Sequence, residues 1–472
     1  MTTAIPRQQT AEPAAPRMHF SALAKPAGAA CNLDCTYCFF LSKELLYDEA
    51  GQRMSDHDLE RFISDFLDSQ PDGDVSIEWQ GGEPTLRGLP FFKRAVELSE
   101  KYRRPAQDVT HSIQTNGTLI TDEWADFLAE NHFLVGLSID GPAQYHDVYR
   151  VNKAGRGTQA QVLRAWEILQ RHHVDTNILC TVHAGNADHP HEVYRYFRDA
   201  LGAEFIQFIP IVERVTPAQR DIAEAGWHGQ GEERPLYRQR GSDVTSRSVG
   251  PEQWGAFLST IFDEWVKRDV GRVFVQLFDV TVGNAMGIYT LCTHSPTCGN
   301  AIAVLHNGDV YACDHYVEPA YLRGNIATES MRDIVASPEQ RRFGMSKMTE
   351  LSAQCQACDV RWACQGGCPK DRFVKTLDGR ELNYLCEGYR TFFRHAQPDV
   401  AAMVSLVQSG RKACGIMDMP RDEDGRLLQP VPTAGAQGPE PTMSERSSGR
   451  PGKPKAKVKP KARAKKGGRR RR

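Results

Sequence analysis

The sequence predicts an α/β fold, in which a partial (β/α)6 barrel of the TIM type is followed by a cysteine-rich second domain. Six strand-like segments alternate with helical segments between residues 18 and 211, and such alternation is typical of parallel β/α units. Eight of the thirteen cysteines then lie between Cys292 and Cys386, beyond the last of these units. The chain therefore divides into a regular barrel and a region organised around sulfur ligands.

The predicted elements follow one another along the barrel in strict order. The predicted strands cover residues 18–25, 75–79, 109–114, 133–139, 176–182 and 204–211. The predicted helices between them cover residues 55–68, 90–101, 121–131, 159–172 and 191–200, and Thr121 is placed to cap the third of these helices. Because active sites of parallel β/α folds lie at the carboxyl ends of the strands, the loops after these strands are the candidate functional loops.

The rest of the chain is less regular. A polar, weakly periodic stretch at 216–250 predicts an irregular connection, and a helix is expected at 251–268. The predicted boundaries are a disordered N-terminus (1–17), the barrel (18–240), a connecting segment (241–290), the cysteine-rich domain (291–395), a closing helix (396–415) and a disordered basic tail (416–472).

Charge and composition narrow the class of protein. Thirteen of the 58 Lys and Arg lie within residues 450–472 without any acid, so the other 449 residues carry 45 basic and 59 acidic groups. The tail is thus a candidate for nonspecific nucleic-acid contact, or for loose contact with the acidic body. No apolar run of eighteen residues predicts a membrane span, and residues 1–17 lack the apolar core of a secretory signal. We therefore expect a cytoplasmic protein whose cysteines bind metal rather than form disulfides.

Three cysteines at spacing C-x3-C-x2-C follow the first predicted strand, at Cys31, Cys35 and Cys38. A closed zinc site takes four protein ligands, and so does an electron-transfer iron–sulfur cluster. Three thiolates on a four-iron cluster leave one iron open to a substrate. The alternative is part of a zinc site whose fourth ligand comes from elsewhere in the chain.

This loop resembles the signature of the radical S-adenosylmethionine (SAM) enzymes, with Tyr37 at the position where an aromatic residue is usual. The resemblance implies that the open iron binds the amino and carboxylate groups of SAM. It also implies that Gly82, in the run Gly81-Gly82-Glu83 after the second strand, contacts the SAM amino group. Alone, that run predicts only a glycine turn.

Three further SAM contacts rest on the same resemblance. Ser138 and Arg150 match positions that hold the ribose and the carboxylate of SAM, and Val212 matches an adenine contact. The alternatives are a turn hydroxyl for Ser138 and a solvated side chain for Arg150.

The eight later cysteines suit two fully ligated sites. The run from Cys355 to Cys368-Pro369 is ferredoxin-like, and in two-cluster ferredoxins the cysteine before proline serves the other cluster. This rule predicts two ligand sets, which are Cys292, Cys298, Cys313 with Cys368, and Cys355, Cys358, Cys364 with Cys386. Two structural zinc sites need the same ligand count, so spacing alone does not separate iron from zinc. Together with the first loop, we expect three [4Fe-4S] clusters.

From about Met18 to Gln397, the chain resembles the anaerobic sulfatase-maturating enzymes, and its second domain resembles their SPASM domain. The diagnostic run is Gly308 to Tyr316, in which Asp314 directly follows Cys313, as the catalytic aspartate of this family follows a cluster cysteine. The resemblance implies oxidation of a cysteine or serine in an unfolded sulfatase polypeptide to Cα-formylglycine. A 5′-deoxyadenosyl radical would take a hydrogen atom from the substrate Cβ, and a low-potential electron donor would be required.

Asp314 is the implied base for the substrate thiol or hydroxyl proton. We expect a raised proton affinity for this carboxylate beside an anionic cluster. The alternatives for the whole chain are another SPASM peptide-modifying enzyme, for example one that forms thioether cross-links, or a non-enzymatic zinc-ribbon binding protein.

Overall fold

The first half of the chain forms most of a long sheet of mainly parallel strands, and helices cover the outer face of this sheet. The structure is a computed structural model that describes residues 15–47, 53–227 and 236–428. The strands are β1 Ser21–Lys25, β2 Gly73–Trp79, β3 Gln107–Thr115, β4 Leu134–Ser138, β5 Thr176–Val182, β6 Phe205–Pro210, β7 Arg214–Val215, β8 Asp243–Val244, β9 Phe274–Val275, β10 Ala301–Leu305, β11 Asp309–Tyr311, β12 Leu322–Asn325, β13 Arg372–Lys375 and β14 Glu381–Asn383.

The α-helices alternate with β1 to β6 and then gather in the second half. They are α1 Asp56–Ser69, α2 Leu89–Tyr102, α3 Asp122–Glu130, α4 Ala143–His146, α5 Gln159–Arg171, α6 Pro190–Arg195, α7 Arg220–Ala225, α8 Pro251–Arg268, α9 Gln276–Ala285, α10 Met331–Ala336, α11 Pro338–Thr349, α12 Ala353–Gln356, α13 Arg361–Cys364 and α14 Cys386–Gln408. Within the described part of the chain, no helix is long and apolar enough to cross a lipid bilayer.

Local sequence explains where the barrel helices begin. The Ser55 hydroxyl accepts the Asp58 backbone N–H at 3.1 Å and caps α1. The predicted cap Thr121 accepts the Trp124 N–H and begins α3. Such caps satisfy backbone donors that have no partner inside the helix. The apolar faces of α1 and α2 then bury Phe62, Phe66 and Phe92 against the sheet.

The sheet order confirms the predicted parallel α/β architecture and also extends it. Ten strands pair in the order β12-β11-β10-β1-β2-β3-β4-β5-β6-β9, and β1 to β6 are parallel neighbours. The unexpected part is β10, which pairs in parallel with β1 over Ser21–Lys25 and Ala301–Leu305. The apolar run 301–305 pairs with β1 and covers its otherwise open edge. An uncovered edge strand would present unpaired backbone groups to other chains. The cysteine-rich region is therefore joined to the barrel sheet.

Helix α14 packs along α8 and fixes the second domain on the barrel. The two helices approach most closely at Gly255 and Gly388, where a Cβ on Gly388 would lie 2.1 Å from the Pro251 carbonyl oxygen. Phe262 and Phe392 fill the same interface. This close contact holds α14, which begins at Cys386, against α8.

The start of the predicted disordered tail differs from expectation. Ile416 is fully buried in the core, and Met417, Met419 and Leu427 pack against it. The Arg421 guanidinium also pairs with Asp399 of α14 at 2.5 Å. Many polar residues separate the apolar residues of 416–427, so the sequence pattern did not indicate a buried segment. The remainder of the predicted tail, 429–472, lies outside the described residues, as does 1–14 of the predicted N-terminus.

Candidate active site

The three-cysteine loop follows β1 at its carboxyl end and is held against the segment after β4. Asp34 and Thr36 donate their backbone N–H groups to the carbonyls of Val151 and Tyr149, at 2.9 and 3.0 Å. Burial raises the pKa of the Cys31, Cys35 and Cys38 thiols, and the neighbouring thiols raise that of Cys31 further. The structure thus brings the three predicted ligands together in one buried loop, and an all-thiol donor set fits an iron–sulfur cluster.

The glycine run after β2 lies directly against this loop. The Gly82 N–H donates to the Gly28 carbonyl at 2.9 Å, and a Cβ at Gly82 would lie 2.0 Å from the Ala30 carbonyl oxygen. Only glycine permits so close an approach. Glu83 is buried and accepts the hydroxyl of Thr115 at 2.7 Å. This packing explains the glycine without a ligand, so the SAM contact of Gly82 stays a prediction.

Tyr37 and Arg150 meet at a buried aspartate that the sequence analysis did not single out. Arg150 donates to both carboxylate oxygens of Asp140, at 2.8 and 3.1 Å, and the Tyr37 hydroxyl donates to Oδ2 at 2.6 Å. Burial alone would favour the neutral acid, but the Arg150 charge holds the pKa of Asp140 below its usual value. Asp140 follows β4 in the run Ser138-Ile139-Asp140-Gly141, and that position after a strand was the available signal.

Arg150 is therefore buried rather than solvated, and the Asp140 carboxylate balances its charge. Ser138 lies at the end of β4 and accepts the Gln114 amide at 3.0 Å. Val212 is buried in the main core just after β6. These residues lie after β4 and β6, at the edge of the sheet where the cysteine loop follows β1. Their contacts with SAM stay predictions.

Asp314 comes from the second domain, yet it contacts the barrel. Lys25, the last residue of β1, places its Nζ atom 2.5 Å from Asp314 Oδ1 and 4.3 Å from the centre of the Phe40 ring. Lys25 is only 1% exposed, so this ion pair is sheltered from water. It connects the strand that leads to the cysteine loop with the proposed base.

The expected rise in the proton affinity of Asp314 concerns a bound anionic cluster and stays a prediction, whereas the protein side chains alone shift the pKa of Asp314 in the opposite direction. Burial raises the pKa, but the Lys25 cation at 2.5 Å outweighs burial and holds the pKa of Asp314 below its usual value. That expectation considered an anionic cluster and did not include this cation, which is distant in sequence. Asp314 is therefore ionised at neutral pH and ready to accept a proton.

The eight later cysteines interact electrostatically in two groups with the same members as the two predicted sets, and their role as ligand sets stays a prediction. Burial raises the pKa of Cys368 to about 12, and the thiol of Cys292 adds to that rise. The Cys292 thiol also raises the pKa of Cys298 and of Cys313, after burial as the main cause. No three His, Cys, Asp or Glu side chains among the described residues converge at the spacing of one metal ion.

The second set lines a cavity of about 290 Å³ at the surface of the domain, together with arginines. Burial raises the pKa of Cys364 to about 12 and of Cys386 to about 11, and each is raised further by its neighbouring thiols. The four thiols around this cavity are those of Cys355, Cys358, Cys364 and Cys386. Of the two remaining cysteines, Cys180 is buried in the core and Cys414 packs against it.

The connection between β6 and α8, residues 211–250, is more ordered than predicted where it is described. Its strands β7 and β8 pair, and buried Glu213 binds Arg247 at 2.7 Å and the Thr245 hydroxyl at 2.6 Å. The Tyr237 backbone reaches the short helical turn Leu41–Leu46 after the cysteine loop, where its carbonyl accepts Lys43 Nζ at 2.7 Å. This connection therefore lies beside the candidate site.

We expect Glu213→Ala to destabilise this connection, because buried Arg247 would lose the carboxylate at 2.7 Å and keep only the more distant one of Glu224, at 3.9 Å. The expected loss is about 3–5 kcal/mol of unfolding free energy. Asp243→Ala is the matched control, since it removes an exposed pair with Arg220 in the same segment and should cost about 0–1 kcal/mol. Chemical denaturation with hydrogen exchange of residues 211–250 measures both, and equal costs for the two variants would contradict the role of Glu213.

Comparisons with known proteins agree with this arrangement. The family model of the radical SAM superfamily matches residues 26–197, and that of an iron–sulfur cluster-binding domain, SPASM, matches residues 292–359. The serine-type anaerobic sulfatase-maturating enzyme of Bacteroides thetaiotaomicron is 43% identical over 405 residues, covering 85% of this chain and 95% of the relative. The chain belongs to the anaerobic sulfatase-maturating enzymes.

Two more comparisons place it within this family. The cysteine-type anaerobic sulfatase-maturating enzyme of Clostridium perfringens is 35% identical and covers 80% of this chain and 96% of the relative. The solved structure described as native anSMEcpe with bound AdoMet has a TM-score of 0.69 at 34% identity, covering 82% of this chain and 99% of that one. Streptococcus suis SuiB bound to its precursor peptide shares the fold, with a TM-score of 0.53 at 14% identity.

Proposed function

We propose that this radical SAM enzyme oxidises one serine or cysteine of an unfolded sulfatase polypeptide to Cα-formylglycine. The observation that carries the assignment of its site is the Lys25–Asp314 ion pair. It sets an ionised carboxylate of the second domain at the carboxyl end of β1, the strand that leads to the three-cysteine loop. A base is thereby held next to the place where a hydrogen-abstracting cofactor would bind.

The roles of the side chains follow from their positions. When bound, an iron–sulfur cluster and SAM supply a one-electron oxidant able to remove a hydrogen atom from an unactivated carbon. Cys31, Cys35 and Cys38 would hold the cluster, while Tyr37 and Arg150, oriented by Asp140, would hold SAM together with Gly82, Ser138 and Val212. Asp314 accepts the hydroxyl or thiol proton of the substrate.

The hydrogens and electrons of the substrate balance as follows. Serine loses a hydrogen atom from Cβ, its hydroxyl proton goes to Asp314, and one further electron passes to the second domain, so that the C–O single bond becomes double. Cysteine loses the same hydrogens to give a thioaldehyde, which water converts to the same aldehyde with release of sulfide. Both routes end at formylglycine.

Serine is the substrate we favour. The relative at 43% identity is serine-type, whereas the cysteine-type relative from Clostridium perfringens is 35% identical. The test presents the reconstituted enzyme with matched peptides that differ only in serine or cysteine at one position. We expect faster conversion of the serine peptide to an aldehyde with the mass of serine less two hydrogens. Absence of aldehyde from both peptides would overturn the proposed function.

Three [4Fe-4S] clusters are proposed, one for each thiol set. The sets are a three-cysteine loop and two groups of four thiols, and the first domain belongs to a superfamily that uses iron and SAM. Anaerobic reconstitution followed by iron and zinc counts tests this number. About twelve irons per chain would support it, whereas stoichiometric zinc would favour structural sites in the second domain.

The setting and the partners are also proposals. A cytoplasmic location is supported by thirteen free cysteines, because that compartment keeps thiols reduced. The enzyme further requires a low-potential electron donor that has not been identified. Nucleic-acid contact by the basic residues 450–472 stays a prediction about residues outside those described.

Truncation after Leu428 should leave peptide turnover within about tenfold of the full chain, which corresponds to about 1.4 kcal/mol in the barrier. The cut is placed after Leu428 because Ile416 and the ion pair of Arg421 belong to the folded body. Turnover is measured at physiological salt with cluster loading matched to that of the full chain. A larger loss in fully loaded protein would show that the basic tail takes part in the reaction.

A further inference from the structure

A buried arginine, Arg372, binds the turn that joins the two cysteine sets of the second domain. Arg372 begins β13, is 7% exposed, and donates to three successive carbonyls at 3.0–3.4 Å. These carbonyls belong to Gln365, Gly366 and Gly367. The turn runs from Cys364 of one set to Cys368 of the other. The guanidinium is thus held where the two sets are closest along the chain.

The turn itself depends on this arginine. Gln365, Gly366 and Gly367 all have left-handed backbone angles, with φ of 50°, 74° and 62°. A non-glycine residue such as Gln365 is strained there. The carbonyls of the turn converge on one cation, which offsets that strain. A Cβ on Gly366 would lie 2.7 Å from Arg372 Nη2, so the fit is close.

A second buried cation continues the connection into the first set. Arg372 Nη1 donates to the Lys347 carbonyl at 2.7 Å. The Lys347 ammonium in turn donates to the carbonyls of Cys292, Thr293 and Ser295. Arg372 is therefore joined to the Cys292 loop on one side and to the turn between Cys364 and Cys368 on the other.

The electrostatic surroundings of Arg372 include both sets of thiols. Burial lowers the pKa of Arg372, and the thiols of Cys355, Cys368, Cys364 and Cys298 act against that shift. Two of these cysteines belong to each predicted set. In this apolar setting, a positive charge interacts strongly with anionic clusters on both sides.

We propose that Arg372 is a positioning residue that fixes the two auxiliary clusters relative to each other and raises the reduction potentials of both. This inference rests on the proposed role of the eight cysteines as cluster ligands. Hydrogen bonds and charge around the sulfurs are recognised determinants of cluster potential. Loss of the Arg372 charge makes each reduced, more negative cluster harder to form.

The test is a redox titration of the auxiliary clusters in the full chain, followed by electron paramagnetic resonance. In Arg372→Gln, we expect both auxiliary potentials to fall, with at least a tenfold change in the ratio of oxidised to reduced cluster at a fixed potential, about 59 mV for one electron. Arg372→Lys keeps the charge and should stay near the parent values. Arg380→Gln is the matched control, because exposed Arg380 also donates to backbone carbonyls, those of Thr349 and Leu351, and should shift neither potential.

Two results would overturn the proposal: unchanged potentials in fully loaded Arg372→Gln, or a shift in one auxiliary cluster only. If Arg372→Gln loads less iron, we expect the loss from both auxiliary sites, with SAM cleavage at the first cluster retained. Loss from a single auxiliary site would contradict a bridging role. A parent chain that carries zinc instead of auxiliary iron would refute the assignment of the ligand sets, which is a separate failure.

Discussion

Asp314→Asn is expected to lower peptide oxidation by about a hundredfold or more, the range of general base catalysis, while 5′-deoxyadenosine continues to form. The amide keeps the size of the side chain and one oxygen that can accept from Lys25, but it cannot accept the substrate proton. Because SAM cleavage uses the barrel site, its product should accumulate without matching formylglycine. Quantifying both products in single turnover separates the two steps.

Asp359→Asn is the matched control for this variant. Asp359 also directly follows a predicted cluster cysteine, Cys358, but it is exposed and pairs with Arg394 at 2.8 Å. Its replacement should leave both products near parent levels. Equal loss of 5′-deoxyadenosine and formylglycine in Asp314→Asn would instead indicate that Asp314 supports the fold.

The lowered pKa of Asp314 also determines the pH dependence that we expect for peptide oxidation. Because Lys25 holds that pKa below its usual value, Asp314 stays ionised as the pH falls from 8 to 5. Asp314 stops acting as a base only when the pH falls through that lowered pKa, where the carboxylate becomes protonated. An ionisation between pH 5 and 8 that is present in the parent and absent from Asp314→Asn would contradict the ion pair.

Replacing Cys31, Cys35 and Cys38 together by Ala should abolish SAM cleavage and remove about a third of the iron, because these thiolates are the ligands of one cluster in three. Cys180→Ala is the control, since Cys180 is buried within β5 and packs in the core. Iron analysis and 5′-deoxyadenosine formation are measured on the same preparations. Full iron content in the triple variant would show that the first cluster is assigned to the wrong cysteines.

The barrel could be predicted from sequence because its signals are local. Apolar residues at helical spacing identify α1, and the strand β5 has the predicted bounds, 176–182. The spacing of Cys31, Cys35 and Cys38 after the first strand likewise identifies the cysteine loop, whereas Asp314 was predicted from the resemblance of its run to the family. These patterns depend on residues that are close together in the chain.

The parts that escaped prediction depend on long-range pairing. Lys25 and Asp314 are far apart in sequence, so nothing local shows that a strand-end lysine neutralises the proposed base. The pairing of β10 with β1 and the carboxylate of Asp140 beneath Arg150 arise in the same way. In the β6–α8 connection, one buried Glu213 organises polar residues that have no periodicity of their own.

The central claim is that this enzyme takes a hydrogen atom from the Cβ of a peptide residue next to Asp314. The direct measurement uses a serine peptide deuterated at Cβ, with the reconstituted enzyme, SAM and a reductant, and mass spectrometry of both products. We predict one deuterium in 5′-deoxyadenosine for each formylglycine formed. Formylglycine that appears with unlabelled 5′-deoxyadenosine would contradict the account.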